Sequence, residues 1–212
     1  MADLLAYERS LYDDGMTCLI GLDEAGRGPL AGPVVAAAVA LKNSSFTIPV
    51  RDSKTLSARQ RERAFIKILE QADVGVGVMN EQVIDDVNIL QASFLAMDQA
   101  VRNLMTAVRR QDPVYRDSRK ICLLVDGNAF RTELPYSYRT VVKGDSRCLS
   151  IACASIVAKV LRDRMLAVYH HAFPQYGFDK HKGYPTADHR RAILKHGPSL
   201  IHRRSFRFKA AS

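Results

Sequence analysis

The sequence predicts an α/β domain with helices on both faces of a sheet. Three observations point there. Short apolar runs bounded by turn residues alternate with helix-length stretches of 3.6-residue periodicity. The run ICLLVD is five apolar residues closed by an acid, the pattern of a strand buried on both faces. With 47% apolar and 25% charged residues, a chain of 212 residues can bury one substantial core, and one domain is expected.

The elements follow in order. Residues 17–23 read as an apolar strand and Val34–Leu41 as a second, with Gly and Pro punctuating the segment between them. Ser57 is placed as the N-cap of a helix through Glu70, and residues 73–79 alternate Val and Gly as a third strand. Residues 82–110 are helical, with a break near Asn88. Ile121–Asp126 is the buried strand, and residues 138–142 form a short further one. After Gly144, Leu149, Cys153, Ile156 and Val160 recur at helical spacing and predict a long helix to about His171. A Pro/Gly-rich loop and a short helix after Thr186 complete the chain.

Composition narrows the function. The longest apolar run, residues 29–41, is too short to span a bilayer, and no charged segment followed by an apolar one opens the chain, so no membrane partner is expected. The four cysteines form no CxxC pair and suit a reducing compartment, so a cytoplasmic protein is expected. The net charge of +9 is uneven: residues 1–179 hold 22 Lys and Arg against 21 Asp and Glu, residues 180–212 hold 9 against 1. A basic C-terminal segment suits a polyanion such as nucleic acid, or is a solvated tail.

The chemistry gathers where strands end. Asp23 and Glu24 in GLDEAGRG stand side by side; adjacent strand residues face opposite ways, so a shared site requires the backbone to turn between them. Asp126 closes ICLLVD. In open α/β sheets the functional crevice lies at the carboxyl ends of strands, so parallel neighbours would bring Asp23 and Asp126 together. Crowded carboxylates call for hard divalent cations, Mg²⁺ above all. Asp145 in VVKGDS is a fourth candidate, or simply the N-cap of the helix after it. Gly26 and Gly28 let backbone approach a ligand, with Arg27 as a cation between them. Ser53 and Lys54 suit phosphate or a plain loop. Lys182 and Tyr184 in HKGYPT offer a cation and a ring that stacks on a sugar or base, or anchors the proline loop. No GxSxG elbow and no zinc-ligand spacing is present.

The runs LDEAGRGPLAGPVV, DSKTLS, NILQASFLAMDQAV, VDGN, VVKGDS, IACASIVAKVLRD and HKGYPT, in this order over about residues 17–206, strongly resemble bacterial ribonuclease HII. The resemblance implies an RNase H-like fold, a five-stranded mixed sheet flanked by helices with a helical C-terminal portion, and a core at about 17–206 of a single domain over 1–212. It maps a catalytic, metal-binding acid set onto Asp23, Glu24, Asp126 and Asp145, served by two Mg²⁺ or Mn²⁺ ions. It maps contact with the ribose 2′-hydroxyl onto Gly26, Arg27 and Gly28, and packing on the following deoxyribose onto Tyr184. Ser53, Lys54 and Lys182 are expected at phosphates, and His202-Arg203-Arg204 on the nucleic-acid backbone. The implied substrates are RNA/DNA hybrids and duplex DNA with embedded ribonucleotides, cut to leave 5′-phosphate and 3′-hydroxyl ends by a monomer. The sister type, ribonuclease HIII, would carry an additional N-terminal domain, for which about 16 residues before the first strand leave no room.

Overall fold

A computed structural model of the chain describes residues 3–42, 56–109 and 111–207. A short helix, α1 (Ala6–Asp13), precedes the paired strands β1 (Cys18–Ala25) and β2 (Val34–Leu41); α2 (Ala58–Gln71) then leads into β3 (Ala72–Met79). Two helices follow, α3 (Glu81–Val87) and α4 (Ile89–Val108), before β4 (Ile121–Asp126) and β5 (Ser137–Val141). The remainder is helical: α5 (Leu149–Ala172), α6 (Phe178–His181) and α7 (Ala187–His196).

The five strands form one mixed sheet in the order β3-β2-β1-β4-β5. β1 runs antiparallel to β2, and β2 to β3, while β1–β4 and β4–β5 are parallel. This is the five-stranded RNase H-like layout expected from the sequence. The pleat sorts side chains between two layers. Ile20, Leu22, Leu123 and Val125 pack with Ala96, Met97, Ala100 and Leu104 of α4. On the other face, Leu19, Cys122 and Leu124 meet Ile151 of α5, and Ala37 and Val39 meet α5 and α2. Gly21 makes the second layer possible: a Cβ there would lie 2.2 Å from the Ser150 carbonyl carbon. Without a side chain, β1 sits directly against the first turn of α5. All four cysteines are free and buried.

Local chemistry sets the helix starts. Ser57 caps α2 through a full capping box with Gln60. Asn88 is the break foreseen in the long helical stretch; its φ of 69° turns the chain between α3 and α4, and its side chain accepts from the Leu90 and Gln91 N–H groups. α1 was not foreseen. It has no side-chain cap, and its anchor is tertiary: buried Glu8 accepts the Ser150 N–H at 2.9 Å. Among the described residues, no helix is long and apolar enough to cross a membrane.

Candidate active site

The site starts from the parallel pairing of β1 with β4, whose register runs to Leu22 beside Val125. One step further lie Asp23 and Asp126. Both have the parity of the residues that face α5, so the two carboxylates share one face of the sheet. The expected turn between Asp23 and Glu24 is absent. β1 continues through Ala25, paired with β2 as far as Ala25 beside Val35. The pleat therefore directs Glu24 to the opposite face from Asp23, and the two acids meet only because both lie at the carboxyl end of the sheet.

The acids are crowded and poorly compensated. Asp23 is 6% exposed. Burial pushes its carboxyl well above the usual carboxylate range, and the charges of Glu24 and Asp126 push it further; hydrogen bonds from the Ser155 hydroxyl and the Glu24 N–H (2.7 Å) oppose this. Glu24 is raised as well, by burial first and by Asp126, against the lowering effect of Arg27, whose Nη1 lies 3.2 Å from Glu24 Oε1. Asp126 Oδ1 accepts the Gly144 N–H at 2.7 Å, which brings the segment bearing Asp145 to the crevice. Asp145 is buried in the 3₁₀ turn Gly144–Ser146 and is not the cap of α5, a position held by Cys148; the N-cap reading is corrected.

Among the described residues, no three His, Cys, Asp or Glu side chains converge into a ready-made cation cage. The oxygen donors fit Mg²⁺ or Mn²⁺ nonetheless. Mg²⁺ keeps several waters and takes one or two carboxylates plus substrate phosphates. The mutual repulsion at Asp23 is the strain a cation would relieve.

Beside the crevice stands a second group. Arg27 and Gly28 are exposed on the loop after β1, and a Cβ on Gly28 would lie 3.6 Å from Tyr184 Cε1. Tyr184, 43% exposed, presents its ring there. The two loops are tied together: Leu30 N–H donates to Gly183 O at 2.8 Å. Lys182 is half-buried with φ of 51°, its carbonyl accepting from Arg162 Nη1 at 3.0 Å. Ser53 and Lys54 lie outside the described residues.

Sequence reasoning missed the supports of this rim. The expectation that His202 and Arg203 grip nucleic acid is wrong, because they are 6% and 2% exposed. Arg203 and Arg162 bind loop carbonyls inside the protein. A path of imidazoles supports Tyr184: Ser199 N–H donates to His202 Nδ1 (2.8 Å), His202 Nε2–H to His189 Nε2 (3.0 Å), and His189 Nδ1–H to Tyr184 O (2.9 Å). Burial holds His189 and His202 down at about 4, so both are neutral at pH 7. His181 stacks on His189 at 4.3 Å. One signal was available in sequence: Arg162 occupies the apolar stripe of α5, with Ser155, Ala158 and Leu166, where a lone cation must find partners.

A carboxylate crevice at the strand ends of an RNase H-like sheet, flanked by exposed backbone donors and an aromatic ring, defines a metal-dependent hydrolase of nucleic acid. The comparisons name the kind. The profile of the family Ribonuclease HII matches residues 20–209. The chain is 49% identical over 205 residues to a ribonuclease HII of Syntrophus aciditrophicus, covering 96% of this chain and 91% of that one. It is 46% identical over 208 residues to a ribonuclease HII of Chlorobaculum parvum, covering 96% and 95%. The crystal structure of ribonuclease H2 from Pyrococcus horikoshii superposes with a TM-score of 0.67 at 24% identity, covering 89% of this chain and 93% of that one. The chain belongs to the ribonuclease HII family and is a ribonuclease.

Proposed function

We propose that this ribonuclease hydrolyses the RNA strand of RNA/DNA hybrids and incises duplex DNA on the 5′ side of single embedded ribonucleotides, leaving 5′-phosphate and 3′-hydroxyl ends. Asp23, Glu24, Asp126 and Asp145 are the acids that hold Mg²⁺ or Mn²⁺. When bound, two such ions supply activation of the attacking water and charge stabilisation of the leaving 3′ oxygen. The protein's own part is to place the scissile phosphate at this pole and to choose the sugar beside it. The Arg27 and Gly28 N–H groups hydrogen-bond the 2′-hydroxyl, the group that separates RNA from DNA. The Tyr184 ring packs on the next sugar, where a missing 2′-hydroxyl leaves room. Lys182, with Ser53 and Lys54, contacts phosphates and carries no sequence information.

The observation that carries this reading is the meeting of Gly28 and Tyr184 beside Glu24. The exposed backbone at Gly28 and the Tyr184 ring face each other across about the width of a methyl group, a Cβ on Gly28 lying 3.6 Å from Tyr184 Cε1, and Arg27 next to Gly28 pairs with Glu24. The test is cleavage of end-labelled duplexes that are all DNA, an RNA/DNA hybrid, or DNA with one ribonucleotide. Cutting of the hybrid and of the single-ribonucleotide duplex on its 5′ side, with all-DNA intact, is expected. Equal cutting of all-DNA would leave the acid site standing and remove the 2′-hydroxyl reading.

A further inference from the structure

We propose that Arg203, aided by Arg162, is a positioning residue for sugar recognition: it turns the carbonyl groups of the loop at residues 26–32 inward and so forces the Arg27 and Gly28 N–H groups outward. This rests on the reading that those N–H groups meet the ribose.

Arg203 uses every donor it has. Nε donates to Gly32 O (2.9 Å), Nη1 to Arg27 O (3.1 Å) and Pro29 O (2.8 Å), and Nη2 to Gly26 O (2.6 Å) and Gly32 O (2.7 Å). Arg162 extends the set, donating to Pro33 O (2.9 Å), Ala31 O (3.1 Å) and Lys182 O (3.0 Å). A guanidinium that is 2% exposed and has all five N–H groups engaged has nothing left for a phosphate. Its charge acts on the loop.

The consequence follows from peptide geometry. In a trans peptide the C=O of one residue and the N–H of the next point in opposite directions, and no cis bond occurs among the described residues. With Gly26 O turned in, Arg27 N–H points away from the guanidinium; with Arg27 O turned in, Gly28 N–H does too. Among the described residues neither N–H has an acceptor, and both residues are exposed. Pro29 gives an internal check. Its carbonyl is turned toward Arg203, and the following Leu30 N–H points away from the guanidinium, to Gly183 O in the loop that carries Tyr184. Gly26 completes the arrangement. Its φ is +107°, and a Cβ there would lie 2.2 Å from Arg162 Nε.

Two neighbouring buried cations are an expensive way to brace a loop. What they provide is a fixed fork of donors, which a lysine ammonium with the same charge cannot reproduce. The experiment therefore measures kcat and KM of the full chain on DNA containing one ribonucleotide, with all-DNA alongside, for wild type, Arg203→Lys, Arg203→Ala and Arg119→Ala, the last an exposed arginine just before β4, at the end of that strand away from the crevice. Melting temperatures are taken in parallel. Arg203→Lys is expected to lose about tenfold or more in kcat with KM within about twofold, as misplaced transition-state contacts do. Arg203→Ala is expected to regain activity severalfold with ethylguanidinium, and not with ethylammonium at equal ionic strength. Arg119→Ala is expected to keep kcat. Wild-type kcat in a folded Arg203→Lys would overturn the proposal, as would a kcat loss matched by lost folded protein and no guanidinium rescue. Wild-type cutting of all-DNA would instead remove the 2′-hydroxyl reading on which it rests.

Discussion

The acid crevice and the loop beside it both bury charged groups, but they satisfy them in different ways. At the crevice, Asp23 is buried against Glu24 and Asp126, and like charge adds to desolvation. At the loop, Arg203 and Arg162 are equally buried, yet their donors are matched to carbonyl oxygens, and His202 and His189 complete a continuous path to Tyr184. Like charge is present at both, since Arg162 repels Arg203 as Glu24 and Asp126 repel Asp23; what differs is that every guanidinium donor of Arg203 is hydrogen-bonded before any substrate arrives. The difference separates two tasks. Chemistry needs a pole that takes up cations and a phosphate, whereas recognition needs donors and a ring that do not move.

The comparison can be broken most forcefully at Asp126. Asp126→Asn retains an oxygen for the Gly144 N–H and removes one of the crowded charges. It should lower cleavage by about a thousandfold or more while leaving the cation-free melting temperature unchanged or raised. A melting temperature lowered by several degrees would mean that the crevice is not under the strain described.

Acid probes the satisfied side. His189 and His202 titrate at about 4 in the folded protein, below their ordinary 6.5, so the unfolded chain takes up those protons first. The stability they contribute is intact above pH 6.5 and is lost as pH falls toward 4. His189 and His202 face each other, with His181 stacked on His189 and the rings of Tyr176 and Phe178 alongside. The raised acids Asp23, Glu24 and Glu8 act in the opposite sense. Thermal melts of wild type and His202→Asn cancel that contribution. Wild type should lose on the order of 2 kcal/mol more on acidification, and parallel profiles would show that the imidazole path carries no linkage.

Tyr184→Ala sharpens the division further. It should reduce the preference for a ribonucleotide followed by DNA over a continuous hybrid by about tenfold, with smaller loss in duplex affinity. Equal losses in both would make the ring a general contact. The smallest effect belongs to Arg204, next to the buried Arg203 but itself exposed, with its N–H held by Asp85 Oδ2 at 2.8 Å. Arg204→Ala should flatten the salt dependence of duplex binding by about one unit of slope. An unchanged slope would place it among solvated charges.

Features fixed by local chemistry were legible in the sequence. The Ser57 cap, the break at Asn88 and the buried run ICLLVD depend on neighbouring residues or on a single periodicity. The parallel β1–β4 pairing, which the sequence reading posed as the condition for Asp23 and Asp126 to share a crevice, is met. Features fixed by contacts across the chain were not. α1 is held by Glu8 reaching Ser150, Asp145 lies in a 3₁₀ turn and not at the cap that was one of its two readings, and β1 runs past both acids without turning. His202-Arg203-Arg204 reads as one basic patch, yet Arg203 binds Gly32, 171 residues earlier, and only Arg204 is left exposed. Charge counted along a sequence does not reveal which cations have been drawn inside.

The most direct test is single-turnover cleavage of a ribonucleotide-containing duplex across a titration of Mg²⁺ and of Mn²⁺, with EDTA as the zero point, for wild type and Asp23→Asn. No cleavage in EDTA, activity that rises with either cation for wild type, and none at any concentration for Asp23→Asn would meet the account. Cleavage by wild type in EDTA, or by Asp23→Asn at the wild-type rate, would contradict it.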